Sequence, residues 1–232
     1  MGTVSVRAIV LAAGKGTRMK SARPKVLHEL CGRPMLWWVL SALRRTGVDE
    51  PIVVTNPELD AQLRGLDVPT VVQEEQLGTG HAVRIALDAL EPRDGVLVVA
   101  YGDMPLVDAS IFEDVQAAVD PDAGTALALV TARMPLPSNF GRIVRSGVMV
   151  ERIVEAKDCS PEQLAIDEMN AGIYAFDERA LRVAIAQVGN DNAQGEYYLT
   201  DTVELLLRAG RRVAPVPVAD YRSVLGVNDR VE

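Results

Sequence analysis

Two glycines and two cations directly follow a short apolar run near the start of the chain. The run Val6–Leu11 is typical of a buried strand, and the next segment contains Gly14, Lys15, Gly16 and Arg18. Glycines let main-chain N–H groups approach an anion with no Cβ in the way. Arginine can bind phosphate oxygens through two parallel hydrogen bonds, and lysine adds a mobile positive charge. The segment therefore predicts a phosphate-binding loop, with an ordinary turn as the alternative.

Two widespread phosphate-binding motifs do not fit this loop. The dinucleotide fingerprint requires a third glycine where this chain has Met19, and the P-loop requires Gly-Lys-Ser/Thr after four intervening residues. A further cation, Lys25, follows Pro24, whose ring fixes the backbone and presents the lysine from a stiff segment. Arg18 and Lys25 therefore favour a clamp for a polyphosphate, with a solvated lysine as the alternative.

A carboxylate stands at the end of another apolar run. Asp103 follows Gly95–Tyr101, which is predicted to be a buried strand. A carboxylate at the carboxyl edge of a sheet suits Mg²⁺, a hard cation that prefers oxygen ligands. The alternative is an aspartate that caps a turn or helix, which the following Met104-Pro105 also allows.

Six motifs follow one another along the chain: LAAGKGTRM (11–19), RPKVLH (23–28), QEEQLGTGHA (73–82), YGDMPL (101–106), NAQGEYYLTD (192–201) and GVNDR (226–230). In this order they resemble the sugar-1-phosphate nucleotidyltransferases. Within that family the chain is similar to the uridylyltransferase half of the bacterial bifunctional N-acetylglucosamine-1-phosphate uridylyltransferases/glucosamine-1-phosphate acetyltransferases. The resemblance extends from Val6 to Arg230, almost the whole chain.

The resemblance implies a reaction and a set of site residues. UTP and N-acetyl-α-D-glucosamine 1-phosphate would give UDP-N-acetylglucosamine and pyrophosphate, with Mg²⁺ as cofactor. Arg18 and Lys25 would be catalytic, and Asp103 and Asn228 would bind the metal. The nucleotide-binding residues would be Leu11, Ala12, Ala13, Gly14, Gln73, Gly78 and Thr79. The sugar-binding residues would be Tyr101, Gly102, Gly141, Glu155 and Asn170.

Several of these side chains have ordinary alternatives when the residues are considered alone. The amide of Gln73 offers a donor and an acceptor, which the imide edge of uracil requires, but an exposed polar residue fits the same position. Gly141, Glu155 and Asn170 are equally compatible with solvated strand ends.

Two rival functions stay open beside the uridylyl transfer. One is the same chemistry on another substrate pair, such as glucose 1-phosphate uridylyl or thymidylyl transfer; the motifs at 76–82 and 192–201 argue against it. The other is a non-catalytic regulatory module with the same fold. The presence of Arg18, Lys25, Asp103 and Asn228 argues against that module.

The elements that must position these residues follow from hydrophobic periodicity. β-Branched runs alternate with helical patterns, which predicts an α/β, Rossmann-like, mainly parallel sheet with helices on both faces. A small sugar-binding β lobe is expected from about residue 135 to 192. The predicted strands are Val6–Ala12, Pro51–Thr55, Pro69–Gln73, Gly95–Tyr101, Thr125–Thr131 and Met169–Phe176, with a hairpin over Ile143–Val154 and an edge strand over Arg212–Val218.

Three helices are predicted, over Pro34–Arg45, Gly80–Leu90 and Glu196–Ala209. In the first, Leu36, Val39, Leu40 and Leu43 form one apolar stripe. At least one of its two tryptophans, Trp37 and Trp38, is expected in the core.

Composition excludes several classes of protein. The net charge of −8 argues against nucleic-acid binding, which requires a cationic surface. No apolar run approaches the ~20 residues of a membrane span, no signal peptide pattern is present, and two distant cysteines indicate no disulfide framework. A cytoplasmic protein is therefore expected. We expect residues 1–232 to form one nucleotidyltransferase domain without the left-handed β-helix acetyltransferase domain of the relatives, and hence without their trimerisation.

Overall fold

A computed structural model describes residues 5–48, 51–64, 68–229 and 231. Arg230, the last residue of the sixth motif, lies outside these residues. The strands are β1 Val6–Leu11, β2 Glu29–Leu30, β3 Arg33–Pro34, β4 Ile52–Thr55, β5 Thr70–Val72, β6 Val96–Tyr101, β7 Thr125–Arg133, β8 Arg142–Ser146, β9 Met149–Val154, β10 Glu168–Asp177 and β11 Arg212–Pro217. The helices are α1 Met35–Arg44, α2 Pro57–Leu63, α3 Thr79–Asp88, α4 Ala109–Ala117, α5 Pro161–Leu164, α6 Glu178–Ile185 and α7 Asp201–Arg208.

The central sheet has the order β11-β7-β10-β6-β1-β4-β5. β1 lies parallel to both β4 and β6, and β4 lies parallel to β5. The chain therefore moves outward from β1 in one direction through β4 and β5, and β6 lies on the other side. The crevice between β1 and β6 is a topological switch point, where α/β sheets bind ligands beyond the carboxyl ends of the strands.

The mainly parallel sheet is confirmed, and among the seven strands of this order β10 runs in the opposite direction. β10 runs antiparallel to both β6 and β7, and β11 pairs in parallel with β7 at the edge of the sheet. The predicted hairpin is β8–β9, which joins the sheet through the pair Met169 and Arg142. The predicted edge strand is β11, whose two prolines cannot donate to a second neighbour.

Two hydrophobic clusters cover the two faces of the sheet. Alternate residues of β1 belong to opposite clusters, because side chains alternate between the faces of a strand. Helices α1, α2 and α4 contribute buried residues to one cluster, and α3, α6 and α7 contribute to the other. Helices on both faces are therefore confirmed. No helix in the described part of the chain is long and apolar enough to cross a membrane.

The apolar stripe of α1 is buried as predicted, but the expectation for its tryptophans is wrong. Trp37 is 38% exposed, and Trp38 is half-buried with its indole N–H donating to the Leu30 carbonyl at 3.0 Å. Both residues lie off the stripe that faces the sheet, so they pack edge-to-face on each other, with ring centroids 4.9 Å apart.

The helix predicted from Glu196 begins instead at Asp201. The preceding residues form an extended loop that bonds to the turn before α3. Tyr197 donates its backbone N–H to Leu77 O at 2.8 Å, and its carbonyl accepts from Gly80 N at 2.7 Å. These tertiary hydrogen bonds replace the helical ones that the local pattern favours.

A buried carboxylate connects the start of β1 to α6. Glu178, 1% exposed, pairs with Arg7 and with Arg182 at 3.0 Å and also accepts the Arg93 backbone N–H at 3.2 Å. We predict that Glu178→Ala lowers the free energy of unfolding by about 3–5 kcal/mol, because it removes the buried carboxylate that neutralises two partly buried arginines. Urea unfolding measures this change.

A matched control is Glu29→Ala, which removes an exposed pair with Arg23 at 3.0 Å. This substitution should lower the free energy of unfolding by less than about 1 kcal/mol. Equal losses in the two variants would contradict the structural role of Glu178.

Candidate functional site

Loops that follow β1, β5 and β6 meet at the switch point, where they line a cavity of about 310 Å³. Register places Leu11 of β1 beside Tyr101 of β6, so the two loops leave the sheet together. The structure brings all the residues predicted to bind nucleotide to this one cavity: Leu11, Ala12, Ala13, Gly14, Gln73, Gly78 and Thr79.

A second cavity, of about 320 Å³, adjoins the first and shares Tyr101 and Asp103 with it. Its lining includes four residues predicted to bind sugar, Tyr101, Gly141, Glu155 and Asn170. Gly102 does not line either cavity. A Cβ on Gly102 would lie 3.1 Å from Leu36 Cδ1, so this residue packs beneath the site and lets α1 approach β6.

The two predicted metal ligands converge on one cation. Lys25 forms an ion pair with Asp103, and its Nζ donates to Asn228 Oδ1 at 3.0 Å. Arg18 donates to the same oxygen at 2.8 Å. The turn that carries Asn228 is held by the Val227 backbone N–H, which donates to Asp103 O at 2.9 Å. Residues that are far apart in the sequence thus form one compact group of charged and polar side chains.

This group offers donors that fit Mg²⁺. A carboxylate and an amide oxygen face the same point, and the described residues contain no group of three or more His, Cys, Asp or Glu that could hold a metal ion. Two protein oxygens are typical of Mg²⁺, which keeps water and substrate phosphate oxygens as its other ligands. The helix-cap alternative for Asp103 is wrong, since the aspartate that caps the following helix α4 is Asp108, which accepts from Ser110 N at 3.0 Å. Asp103 does lie in a turn.

Gly16 makes the approach of Lys25 feasible. Its φ is 56°, in the left-handed region, and a Cβ there would lie 2.7 Å from Lys25 Cβ. Only glycine meets both conditions without strain. The glycine-rich loop therefore serves to position a cation as well as to expose backbone N–H groups.

Gln73 differs from its expected role in one respect. The side chain is buried, 3% exposed, and its Nε2 donates to Gly78 O at 3.2 Å and lies 3.0 Å from His81 Nδ1. Both amide hydrogens therefore point into the protein. Only the acceptor, Oε1, is left for a ligand, whereas the sequence suggested that both a donor and an acceptor are available.

The second cavity contains polar groups that are already oriented. Asn170 donates to the Tyr174 hydroxyl at 2.6 Å and accepts from Gly172 N at 3.2 Å. Glu155 accepts from the Thr200 hydroxyl at 3.0 Å. Burial raises the pKa of the Glu155 carboxyl above its usual range, although the bond from Thr200 opposes that rise.

Tyr101 forms the wall between the cavities. Burial, and then the negative charge of Glu155, raise the pKa of its hydroxyl well above the usual value. Tyr101 therefore stays neutral at any physiological pH. Its ring lies against the backbone of Gly172.

Sequence reasoning missed several lining residues. Gln76 and Glu196 line the first cavity, and both lie inside quoted motifs, so the motifs contained the signal. Asn139, Phe140 and Val224 line the second cavity, and no local pattern distinguishes Val224 from an ordinary core residue.

Comparisons with known proteins agree with this geometry. The family model of the MobA-like NTP transferase domain matches residues 8–192. The chain is 47% identical over 230 residues to the bifunctional protein GlmU of Trichlorobacter lovleyi, covering 97% of this chain and 50% of the relative. It is 45% identical over 234 residues to the bifunctional protein GlmU of Latilactobacillus sakei, covering 98% of this chain and 50% of the relative. The chain therefore spans about half the length of these curated relatives.

A solved structure supports the fold. It is described as a putative glucose-1-phosphate thymidylyltransferase from Bacillus anthracis in complex with sucrose, and it matches with a TM-score of 0.71 and 18% identity. The match covers 92% of this chain and 87% of that chain. The resemblance seen in the motifs and the Rossmann-like fold are thus confirmed.

Gly172 provides a test of how closely the Tyr101 ring packs against the backbone. Its φ is 77°, and a Cβ would lie 2.3 Å from Tyr101 Cε2. At Gly147, where φ is 61°, a Cβ would meet nothing within 4 Å. We predict that both alanine variants lose about 1–2 kcal/mol through left-handed backbone strain, and that Gly172→Ala loses a further ~1–3 kcal/mol through the collision. Urea unfolding of both variants measures the difference, and equal losses would show that Tyr101 moves aside freely.

Proposed function

The chain belongs to the MobA-like NTP transferase domain family, and from that premise we propose that it transfers a uridylyl group from UTP to N-acetyl-α-D-glucosamine 1-phosphate. The products are UDP-N-acetylglucosamine and pyrophosphate. The observation that carries the proposal is the meeting of two cavities at Tyr101 and Asp103, with Arg18, Lys25 and Asn228 beside that junction.

The junction is where the reacting phosphates belong. A nucleotide in the first cavity and a sugar phosphate in the second would each direct phosphate groups toward Lys25 and Arg18. An oxygen of the sugar phosphate attacks the α-phosphorus of UTP in line, and the bond from that phosphorus to the bridging oxygen breaks. Pyrophosphate leaves with the bonding electron pair. The nucleophile is already an anion, so no general base is required.

Positioning and charge neutralisation account for most of the acceleration in such a reaction. Arg18 and Lys25 offset negative charge on the α-phosphate and on the leaving pyrophosphate. Asp103 and Asn228 would hold Mg²⁺, which would supply further neutralisation of the phosphate oxygens. Lys25 contacts both proposed metal ligands, so the lysine also holds them together while the nucleotide enters.

The acceptor sugar is recognised by the groups of the second cavity. Glu155 accepts hydrogen bonds from sugar hydroxyls, and Asn170 has one amide hydrogen beyond the bond that it donates to Tyr174. These polar groups are oriented before the sugar arrives, so an analogue that lacks a matching group leaves them unsatisfied.

Similarity to the bifunctional relatives supports this pair of substrates, and the half-length match restricts the proposal to uridylyl transfer. The cytoplasmic location stays a prediction.

The test is pyrophosphate release with each combination of UTP, dTTP and CTP with N-acetylglucosamine 1-phosphate and glucose 1-phosphate. We expect the highest kcat/KM for UTP with N-acetylglucosamine 1-phosphate. A higher value for dTTP with glucose 1-phosphate would favour the thymidylyl alternative. Binding of nucleotide without pyrophosphate release from any pair would favour the regulatory module.

A carboxamide at position 103 tests the metal assignment. We predict that Asp103→Asn lowers kcat about 10²–10³-fold while changing stability little, because it removes the anionic ligand and nearly preserves its shape. Asp108→Asn is the matched control, since asparagine caps a helix as well as aspartate does. Steady-state rates with and without a chelator measure the effect. Turnover that persists in excess chelator would contradict the metal site.

A further inference from the structure

One contact at the wall of the first cavity plays no part in the proposed chemistry. His81, in the first turn of α3, places Nδ1 3.0 Å from Nε2 of Gln73. The sequence alone suggests no role for this histidine. Its partner Gln73 is buried and lines the cavity, so the contact influences what that cavity offers a ligand.

The orientation of the Gln73 amide follows from its other neighbour. The carbonyl oxygen of Gly78 can only accept hydrogen bonds, and it lies 3.2 Å from the amide nitrogen. The reverse orientation would place two carbonyl oxygens against each other. Gly78 therefore requires the NH₂ group on this side.

That orientation also determines the tautomer of His81. The NH₂ group of Gln73 is a donor, so Nδ1 must accept with its lone pair, and the ring proton must be on Nε2. Burial, and then the positive charge of Arg84, lower the pKa of His81 below its ordinary value. The ring is therefore neutral near pH 7, as an acceptor at Nδ1 requires.

The remaining atom of the amide is Oε1. Within the described residues no group donates a hydrogen bond to Oε1. It is also not one of the completely buried polar atoms without a partner, so it keeps some exposed surface. Since Gln73 lines the cavity, Oε1 is the atom that it presents to a ligand. The wall thus offers an acceptor at this point.

We propose that His81 is a specificity-determining positioning residue, which holds the Gln73 amide with Oε1 toward the nucleobase and so selects uracil over cytosine. The proposal rests on the nucleotide site proposed above. Uracil has an N–H at ring position 3, which donates to an acceptor. Cytosine has a lone pair at the same position, which would oppose Oε1. A donor at position 81 would oppose the NH₂ group in the present orientation, and the reversed orientation would place Oε1 against the Gly78 carbonyl, so the amide would no longer be held in one direction.

The first experiment compares two substitutions at position 81. In His81→Asn, the side-chain oxygen can occupy nearly the position of Nδ1 and accept from Gln73. In His81→Lys, the ammonium can only donate. Calorimetric titration with UTP and with CTP, without sugar phosphate, gives the ratio of the two dissociation constants independently of turnover.

We expect the preference for UTP to survive in His81→Asn and to fall roughly 10- to 100-fold in His81→Lys, the range for an unsatisfied buried polar group. An equal fall in both variants, or no fall in His81→Lys, would overturn the proposal. Circular dichroism establishes that each variant is folded.

The second experiment needs no nucleotide and no variant at position 81. The chain has two histidines, so His28→Gln leaves His81 as the single imidazole. The ¹⁵N chemical shifts of its ring near pH 7 should show an unprotonated Nδ1 and a protonated Nε2. A protonated Nδ1 would overturn the proposal. If the tautomer is as expected and neither nucleotide binds, it is the proposed function that fails, and base selection fails with it.

Discussion

The ion pair between Lys25 and Asp103 is the interaction on which the whole site depends. It joins the segment after β1 to the loop after β6, and its two side chains are only 15% and 17% exposed. Asn228 and Arg18 complete the group through hydrogen bonds. Two cations beside one carboxylate leave a local positive charge within a chain of net charge −8. This positive charge is confined to the junction of the two cavities, where it would attract the phosphate groups of the proposed substrates.

Beyond Tyr101, the second cavity is acidic rather than basic. Glu155 is half-buried, and burial followed by the charges of Asp201 and Asp158 raises the pKa of its carboxyl. The second cavity is therefore acidic at Glu155 and basic at its junction with the first cavity. In the proposed reaction, a sugar phosphate with its hydroxyls toward Glu155 and its phosphate toward Arg18 would match both ends, which would orient the nucleophile.

Much of the fold follows from local pattern. Each predicted strand is present, because β-branched runs between turn residues leave few alternatives to a buried strand. The errors occur where distant contacts override that pattern. Glu196 continues a helical pattern but lies in a loop, since the adjacent Tyr197 bonds to the 77–80 turn. Trp37 is large and apolar, yet it falls off the stripe of α1 that faces the sheet.

The sequence by itself determined which residue types follow which strands, and thereby the family and many of the residues that line the two cavities. Only the tertiary structure decided which atoms face a ligand. Lys25 and Asn228 are 203 positions apart, and no periodicity encodes their contact. The direction of the Gln73 amide depends on the Gly78 carbonyl and on the ring of His81. Hydrogen-bond direction is a property of three-dimensional neighbours, so it emerges only when the chain is folded.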